Sequence, residues 1–421
     1  MKLFLYNLFL IVLIPFFSIR ILFKSFYDKD YRFNFLQRFG LADDSFTFLS
    51  SKKTIWFHAV SLGEVIGSQE TVKSLSYDAN IILTVTTPTG MRKAQEFYKN
   101  TNIKISFAPW DFYLFVLAFI KKINPDLIII FETEIWPSMI GIASKNKIPV
   151  ILSNGRISKK SYQAYSKMSF IIRASFNKLT LVLAQSASHE KRYNDLGVPR
   201  NAIKVCGSVK FDINSLDSFH HPEIQSFINN KFILAASTHE GEDEIVLDSF
   251  IEVQKSIPDL RLVIVPRHPE RALSIQKLAK NKSFSTSIES RDINIDSQIL
   301  IIDSIGKMSL LYKSAQAAFV GGSLVDRGGH NIIEPASLGC PIIIGPYVFN
   351  FESIAKEFID TKSCRVVNDY KNLANEFIDT VTDKEKTTHM INAATQVIAN
   401  NIGASKRQLS AIIEVLNGDK K

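Results

Sequence analysis

Acidic side chains follow two apolar runs of the sequence, at positions suited to proton transfer. Glu64 lies in SLGEV, directly after TIWFHAV (54–60). The start of a helix there would keep its carboxylate ionised and able to accept a proton, although Glu64 could instead simply cap the first helical turn. Glu132 and Glu134 alternate in FETEIWP, at the end of the run at 126–132. This pair could serve chemistry at a strand end or form a solvated rim.

Cationic side chains also follow apolar runs. Lys210 lies near Asp212 in GSVKFD, where its ammonium group could hold an anionic substrate group or pair with Asp212 at the surface. Arg267 and His268 lie between two prolines in VIVPRHPER, and prolines fix the backbone and end a strand. A rigid loop that presents a guanidinium group suits phosphate, although Pro-Arg-His-Pro could equally be only a strand stop.

The most distinctive stretch is GGSLVDRGGHNIIEPASLGCPIIIGP, residues 321–346. Its paired glycines would let a ligand approach the backbone closely. We expect Asn331 to Glu334 to open a helix whose N–H groups can take an anion, with Glu334 accepting hydrogen bonds from ribose hydroxyls. This outline suits a nucleotide-sugar. Neither GxGxxG nor GxxxxGK[ST] occurs in the sequence, which disfavours hydride transfer and P-loop chemistry.

Little in the sequence favours a metal site or a cofactor. The plain Asp-x-Asp pair, Asp28 and Asp30, lies beside the N-terminal apolar segment and far from any predicted strand end. The three cysteines are far apart and form no CxxC pair, so neither zinc nor a disulfide framework is indicated. The acidic run at 240–244 is predicted to be a solvated face or the start of a helix.

Short apolar runs alternate with helical patterns through the rest of the chain, as in parallel α/β folds. The first series of predicted strands is 54–60, 80–87, 126–132, 149–155 and 179–185. The second series is 231–238, 260–268, 298–304, 315–323 and 340–346. Two such series predict two Rossmann-like domains, at 25–212 and 227–421, joined by a linker at 213–226. The last helix is expected to be able to pack back on the first domain.

The N-terminal segment, residues 1–24, is predicted to be a membrane anchor that either spans the bilayer or lies in its interface. Residues 3–19 carry no formal charge, and no small-residue cleavage site of a signal peptide follows them. Basic residues are concentrated after the apolar run, which places the globular part in the cytoplasm. The net charge of +9 points to an anionic partner without identifying it.

Together these motifs resemble those of 3-deoxy-D-manno-octulosonic acid (Kdo) transferases, lipopolysaccharide enzymes that add Kdo to the lipid A precursor. The motifs are WFHAVSLGEV, FETEIWP, LSNGRIS, GSVKFD, PRHPER and the glycine-rich stretch, in order up to about residue 350. The resemblance implies the GT-B glycosyltransferase fold, with two Rossmann-like domains facing one cleft. The donor would bind mainly in the second domain and the acceptor in the first.

The resemblance also implies roles for particular residues. Glu64 matches the catalytic base, while Lys210 and one acid of FETEIWP match positions that stabilise the transition state; Glu134 is preferred to Glu132. The segments that hold the CMP part of the donor match Arg267, His268, Gly306, Lys307, Met308, Asn331, Ile332, Ile333 and Glu334.

The implied reaction is an inverting, metal-independent transfer of Kdo from CMP-Kdo to lipid IVA at the cytoplasmic face of the inner membrane. The expected partners are CMP-Kdo, the lipid A precursor and membrane lipids, without nucleic acid. Another GT-B nucleotide-sugar transferase or an epimerase could use the same fold, because fold does not determine function. A basic, non-enzymatic membrane adaptor would explain the charge and the anchor, but not the glycines and acids that follow the strands.

Overall fold

The chain forms two α/β units in the computed structural model, which describes residues 2–27, 29–41, 46, 48–212, 222–291 and 293–418. Unit one comprises the described residues up to Asp212 together with those from Gly403 onwards. Unit two comprises the described residues from Pro222 to Ile402. The predicted linker, 213–226, lies partly outside the described residues, and a helix already begins at Pro222.

Unit one contains a sheet of seven parallel strands. These strands are β1 (Thr54–His58), β2 (Asn80–Val85), β3 (Lys104–Phe107), β4 (Leu127–Phe131), β5 (Val150–Gly155), β6 (Leu181–Ala184) and β7 (Ile203–Val205). Their order across the sheet is β3-β2-β1-β4-β5-β6-β7. The central strands are continuous apolar runs because both faces of the sheet are covered.

Helices cover both faces of this sheet, except that the first helix packs on two of the other helices instead. They are α1 (Lys2–Tyr27), α2 (Leu62–Ser76), α3 (Pro88–Tyr98), α4 (Tyr113–Ile123), α5 (Pro137–Lys145), α6 (Lys159–Lys167), α7 (Ser169–Phe176) and α8 (Ala187–Asp195). Helix α2 starts directly after β1 and α5 directly after β4. The carboxyl ends of these two neighbouring strands therefore bring Glu64 and the FETEIWP segment to the same edge of the sheet.

Unit two repeats the design with a second seven-stranded parallel sheet. Its strands are β8 (Phe232–Thr238), β9 (Arg261–Pro266), β10 (Thr286–Ile288), β11 (Ile299–Ile301), β12 (Ala318–Val320), β13 (Ile342–Ile344) and β14 (Arg365–Val366). Its helices are α9 (Pro222–Ile228), α10 (Glu242–Ser256), α11 (Ala272–Asn281), α12 (Met308–Ser314), α13 (Ile333–Ser337), α14 (Glu352–Asp360), α15 (Tyr370–Thr382) and α16 (Lys384–Asn401). The order of the strands is β10-β11-β9-β8-β12-β13-β14.

The predicted architecture of two parallel α/β domains is confirmed, and the ten predicted strands are all present. The strands β3, β7, β10 and β14 are not among the predicted ones; they are the four edges of the two sheets. Each edge strand is short and partly exposed, so it does not form a continuous apolar run. The criterion of continuous apolar sequence therefore selects central strands only.

The final helix, α17 (Ala404–Asn417), belongs to unit one. Its buried residues Ala411 and Ile412 join the apolar core that also contains Val65 of α2 and Val209 of the GSVKFD segment. The carboxylate of Asp212 accepts hydrogen bonds from the N–H groups of Gly403 and Ser405, at 2.5 Å each, and so caps the start of α17.

Helix α1 includes Leu3–Phe26, a stretch long and apolar enough to cross a membrane, with a mean hydropathy of 2.1. The same helix packs on the rest of unit one through a polar side chain, Asn7. Asn7 Oδ1 accepts a hydrogen bond from the N–H of Tyr113 at 2.6 Å, and Asn7 Nδ2 donates to Ser138 Oγ at 3.1 Å. Further along the helix, the ring of Phe17 lies 6.4 Å from that of Trp110.

Candidate active site

Glu64 lies in the first turn of α2, whose N-cap is Ser61. Its Oε2 accepts a hydrogen bond from the N–H of Val60 at 2.6 Å, and its Oε1 is 3.4 Å from the hydroxyl of Ser61. The capping contact considered from the sequence is therefore made. It engages one oxygen firmly and leaves the second with only a long contact, so capping and proton transfer are compatible roles.

The electrostatics around Glu64 favour its protonated form, contrary to the expectation that the helix start would keep the carboxylate ionised. Burial raises the pKa of this carboxyl to about 8. The N–H of Val60 opposes the shift, whereas the negative charges of Glu132 and Glu134 add to it. A carboxyl with a pKa in this range can exchange a proton near neutral pH, as general acid–base catalysis requires.

Glu132 follows β4 and forms ion pairs within the same edge of the sheet. Its Oε1 lies 3.6 Å from Nζ of Lys210, and its Oε2 lies 4.0 Å from the guanidinium of Arg156, the arginine of LSNGRIS. Lys210 is held in a single helical turn at Val209–Phe211. The structure thus brings together the GSVKFD, FETEIWP and LSNGRIS motifs, and places Lys210 beside Glu132 while Asp212 caps α17.

Glu134, the acid preferred from the sequence, has a different set of contacts. Its Oε2 accepts a hydrogen bond from Nε1 of Trp136 at 2.8 Å. The Trp136 ring in turn lies edge-on against His58 of β1, at 4.6 Å between centroids. Burial raises the pKa of Glu134, and the Trp136 N–H opposes that shift. Both acids of FETEIWP therefore influence Glu64, but the cation Lys210 pairs with Glu132.

In unit two, the glycine-rich segment after β12 is organised by Glu242, the first residue of α10. The buried Glu242 carboxylate accepts hydrogen bonds from the N–H groups of His239, Gly322, Ser323 and Leu324, at 2.7 to 3.0 Å. These four donors join the end of β8 to the loop after β12. Of the two alternatives for the acidic run at 240–244, the start of a helix is confirmed, since α10 begins at Glu242. The solvated alternative is wrong for Glu242, which is buried.

A solvated position is also wrong for Asp243, which is buried and forms a hydrogen bond and an ion pair. The hydroxyl of Thr238 donates to Asp243 Oδ1 at 2.7 Å, and Arg271 forms an ion pair with Oδ2. Two of the acids therefore organise the carboxyl edge of the second sheet. Their position in the sequence could have identified these two acids, because they follow the central strand β8.

Glycine is required in this loop. Gly322 has φ = +66°, and a Cβ there would lie 3.1 Å from the ring of His330. At Gly321 a Cβ would lie 2.6 Å from a backbone oxygen of Ser237. Protein atoms therefore occupy the place of a Cβ at both glycines, the backbone of Ser237 at Gly321 and the ring of His330 at Gly322. That a ligand approaches the backbone here stays a prediction.

Imidazole rings cluster where the ends of β8 and β9 meet the glycine-rich loop after β12. The Nε2 atoms of His239 and His330 are 2.9 Å apart, so one ring donates to the other, and the two ring planes are within 7° of parallel. The ring of His268 lies edge-on, 5.8 Å from His239. Burial and the neighbouring positive charges, including Arg267, lower the pKa of His330 to about 4 and lower that of His239. Of this group, only Arg267 and His268 are predicted from the sequence, because they follow an apolar run directly.

The predicted donor-binding segment from Gly306 to Met308 lies among other residues of unit two, with which it already forms contacts. Lys307 is buried and forms an ion pair with Glu289, and Gly306 adopts φ = +97°. The hydroxyl of Ser309, in the first turn of α12 that begins at Met308, donates to Glu334 Oε1 at 3.0 Å. The segments around Gly306 and Glu334 are thereby brought together.

The segment from Asn331 to Glu334 differs in detail from the expected anion-binding helix start. Helix α13 is only five residues long, and Asn331 Oδ1 accepts a hydrogen bond from the N–H of Ile333 at 3.0 Å. The side chains of Ile332 and Ile333 are buried. Any ligand contact by these two isoleucines would therefore use their backbone groups.

Comparisons with known proteins agree with these motifs. A family model described as 3-deoxy-D-manno-octulosonic-acid transferase (kdotransferase) matches residues 34–213, and one described as glycosyl transferases group 1 matches residues 229–397. The chain is 33% identical, over 85% of its length and 86% of the relative, to a 3-deoxy-D-manno-octulosonic acid transferase of Haemophilus influenzae. It is 31% identical to the Aquifex aeolicus protein of that name, over 73% of the chain and 80% of the relative.

Among solved structures, a UDP-GlcNAc 2-epimerase from Neisseria meningitidis superposes with a TM-score of 0.61 at 15% identity. The match covers 86% of this chain and all of the other, and it shows a shared fold. Together with the group 1 glycosyltransferase model, it agrees with the predicted GT-B class. The family resemblance seen in the sequence is confirmed: the chain belongs to the 3-deoxy-D-manno-octulosonic acid (Kdo) transferase family and is a glycosyltransferase.

Proposed function

We propose that this protein transfers Kdo from CMP-Kdo to the lipid A precursor, lipid IVA, with inversion at the anomeric carbon. The observation that carries the proposal is the environment of Glu64. Its carboxyl has a pKa raised to about 8 and shares a sheet edge with Lys210 and two further acids, in a chain of the Kdo transferase family.

In this mechanism Glu64 removes the proton from the attacking hydroxyl of the acceptor. The hydroxyl oxygen forms a new bond to the anomeric carbon of Kdo, and the bond from that carbon to the phosphate oxygen breaks. CMP leaves with the electron pair. Lys210 and Glu134 stabilise the transition state, and the contact between Lys210 and Glu132 makes Glu132 a further candidate.

Unit two is proposed to hold the CMP part of the donor. The segments assigned to it are Arg267 and His268, Gly306 to Met308, and Asn331 to Glu334. The donor carries a phosphate and a carboxylate, and both need positive charge or N–H donors. Arg267 supplies positive charge, and the imidazoles of His239 and His330, whose pKa values are lowered, can supply N–H donors but no charge. We therefore propose that the reaction needs no divalent metal.

We propose that α1 anchors the protein at the cytoplasmic face of the inner membrane. The helix packs on the rest of unit one through Asn7, while large apolar side chains elsewhere on the helix are exposed, including Phe4, Phe9 and Val12. Such a surface fits lipid better than water. Basic residues that follow the apolar run favour contact with an anionic leaflet. An acceptor held in the membrane by acyl chains would then be close to unit one.

The test is incubation of the purified protein in detergent with CMP-Kdo and lipid IVA, with CMP release and product mass as readouts. We expect one CMP for each Kdo added and an inverted anomeric linkage by NMR. Transfer from UDP-sugars instead, or interconversion of a nucleotide-sugar without an acceptor, would replace this proposal by another GT-B transferase or an epimerase.

A further inference from the structure

A buried side chain of the C-terminal helix forms hydrogen bonds with two segments that support the ion pair between Lys210 and Glu132. Gln408 of α17 is fully buried. Its Oε1 accepts hydrogen bonds from Ser153 Oγ and from the N–H of Asn154, each at 2.8 Å. Its Nε2 donates to the carbonyl oxygen of Gly207 at 3.2 Å.

The first side of this contact reaches Glu132. Ser153 and Asn154 lie at the end of β5, next to β4 in the sheet. The carbonyl oxygen of Ser153 accepts a hydrogen bond from the N–H of Glu132 at 2.9 Å, and the carbonyl oxygen of Glu132 accepts one from Arg156 at 3.2 Å. The backbone that carries Glu132 is therefore fixed to the strand that Gln408 holds.

The second side reaches Lys210. Gly207, with φ = +84°, precedes the turn that presents this lysine. Within the turn, Asn154 Oδ1 accepts from the N–H of Val209, and the hydroxyl oxygen of Ser208 accepts from the N–H of Lys210, both at 3.3 Å. The turn therefore depends on Gln408 and on the strand end that Gln408 also contacts.

Packing alone does not explain a glutamine at this position. The neighbouring core positions of α17 are Ala411 and Ile412, and an apolar residue would fill the same volume without the cost of burying an amide. A buried polar group whose hydrogen bonds are made fixes one arrangement of its partners rather than adding much stability. The partners here are the end of β5, which is hydrogen-bonded to the backbone of Glu132, and Gly207, which precedes the turn that carries Lys210.

We propose that Gln408 is a positioning residue for the transfer reaction, setting the placement of Lys210 relative to Glu132 from the C-terminal helix. The inference rests on the proposed function, in which Lys210 stabilises the transition state. Gln408 itself is not assigned any contact with substrate.

The test is a double-mutant cycle of Gln408→Leu and Lys210→Ala, with turnover, donor KM and melting temperature measured for each variant. Gln408→Leu alone should lower kcat by about tenfold or more, because small displacements of a reacting group cost that much, and should leave KM within about twofold. In the Lys210→Ala background the same substitution should change kcat by less than about twofold. Glu414→Gln, at an exposed position of α17, is the matched control and should behave as wild type.

Equal effects of Gln408→Leu in both backgrounds would overturn the inference, since the glutamine would then act on folding alone. Full activity of Gln408→Leu would do the same. Normal turnover of Lys210→Ala would instead reject the role of Lys210 in the proposed function. Should Gln408→Leu fail to fold, Ser153→Ala removes one of the three contacts and should give a smaller loss of kcat that also disappears in Lys210→Ala.

Discussion

Nζ of Lys210 lies 3.6 Å from Oε1 of Glu132, and the two side chains are 26% and 12% exposed. Glu132 has φ = +68°, a left-handed conformation that costs a residue with a side chain on the order of 1–3 kcal/mol. Hydrogen bonds from its own N–H to Ser153 and from Arg156 to its carbonyl hold the backbone in that state. The sheet edge thus maintains a strained residue where the ion pair is needed, as is common at functional sites.

Substitution of Glu64 tests the proposed base. Glu64→Gln should lower kcat by about 10²-fold or more with little change in donor affinity, because glutamine cannot take the proton. The amide oxygen can still accept from the Val60 N–H, so the start of α2 should persist. Steady-state CMP release measures the effect. Glu70→Gln, at an exposed site on the same helix, serves as the control. Near-normal turnover of Glu64→Gln would remove this residue from the role.

The pH dependence should report the ionisation of Glu64. Below a pKa of about 8 the carboxyl is protonated and cannot act as a base, so kcat/KM of the free enzyme should rise with pH through that region. Glu134→Gln removes a nearby negative charge that disfavours the anion. The pKa of Glu64 should then fall, and the rising limb of the plot of kcat/KM against pH should move to lower pH. Glu96→Gln, an exposed site in α3, should leave the limb in place. A limb unmoved by Glu134→Gln would contradict the coupling.

Glu242 is expected to be essential for the donor site without being required to touch the donor. Glu242→Gln leaves one oxygen for four N–H donors and turns an amide N–H₂ toward some of them. Each buried donor left unpaired costs about 1–3 kcal/mol, so the melting temperature should fall and CMP should bind at least about tenfold more weakly. Calorimetry with CMP and thermal unfolding measure the two effects. The exposed Glu244→Gln is the control, and unchanged CMP affinity in Glu242→Gln would refute the assignment.

Chelation tests the absence of a metal requirement. Turnover in excess EDTA should equal turnover without it, because the anionic groups of donor and leaving group are to be balanced by Lys210 and Arg267. Turnover is measured in the transferase assay over a series of EDTA concentrations, and again after magnesium is added back. Activity lost to EDTA and restored by magnesium would overturn the prediction.

Docking of α1 on unit one depends on Asn7. Asn7→Ala leaves the N–H of Tyr113 and the hydroxyl of Ser138 without this partner, and should lower the free energy of unfolding in detergent by about 1–3 kcal/mol. Ser18→Ala is the matched control, since Ser18 bonds only within its own helix to the carbonyl oxygen of Ile14. Equal stability of Asn7→Ala and Ser18→Ala would show that the polar contact does not hold the helix.

Much of the fold could be predicted because it depends on local patterns. A strand in the middle of a parallel sheet is apolar on both faces, so β1, β4, β8 and β9 stand out as continuous runs. The residues that follow such strands lie at one edge of the sheet, which is why Glu64 and Arg267 could be singled out. Edge strands such as β7 carry a mixed pattern and escaped the same criterion.

The sequence by itself therefore determined the two sheets, the apolar N-terminal helix and the identity of the chemical groups at the strand ends. Only the tertiary structure decided which of these groups meet. It pairs Lys210 with Glu132 and buries Glu242 among backbone N–H groups of two separate loops. It also brings Gln408 to Ser153, which lies 255 positions earlier. The physical reason is that burial and charge pairing depend on approaches between distant segments, whereas strand and helix patterns are set by neighbouring residues.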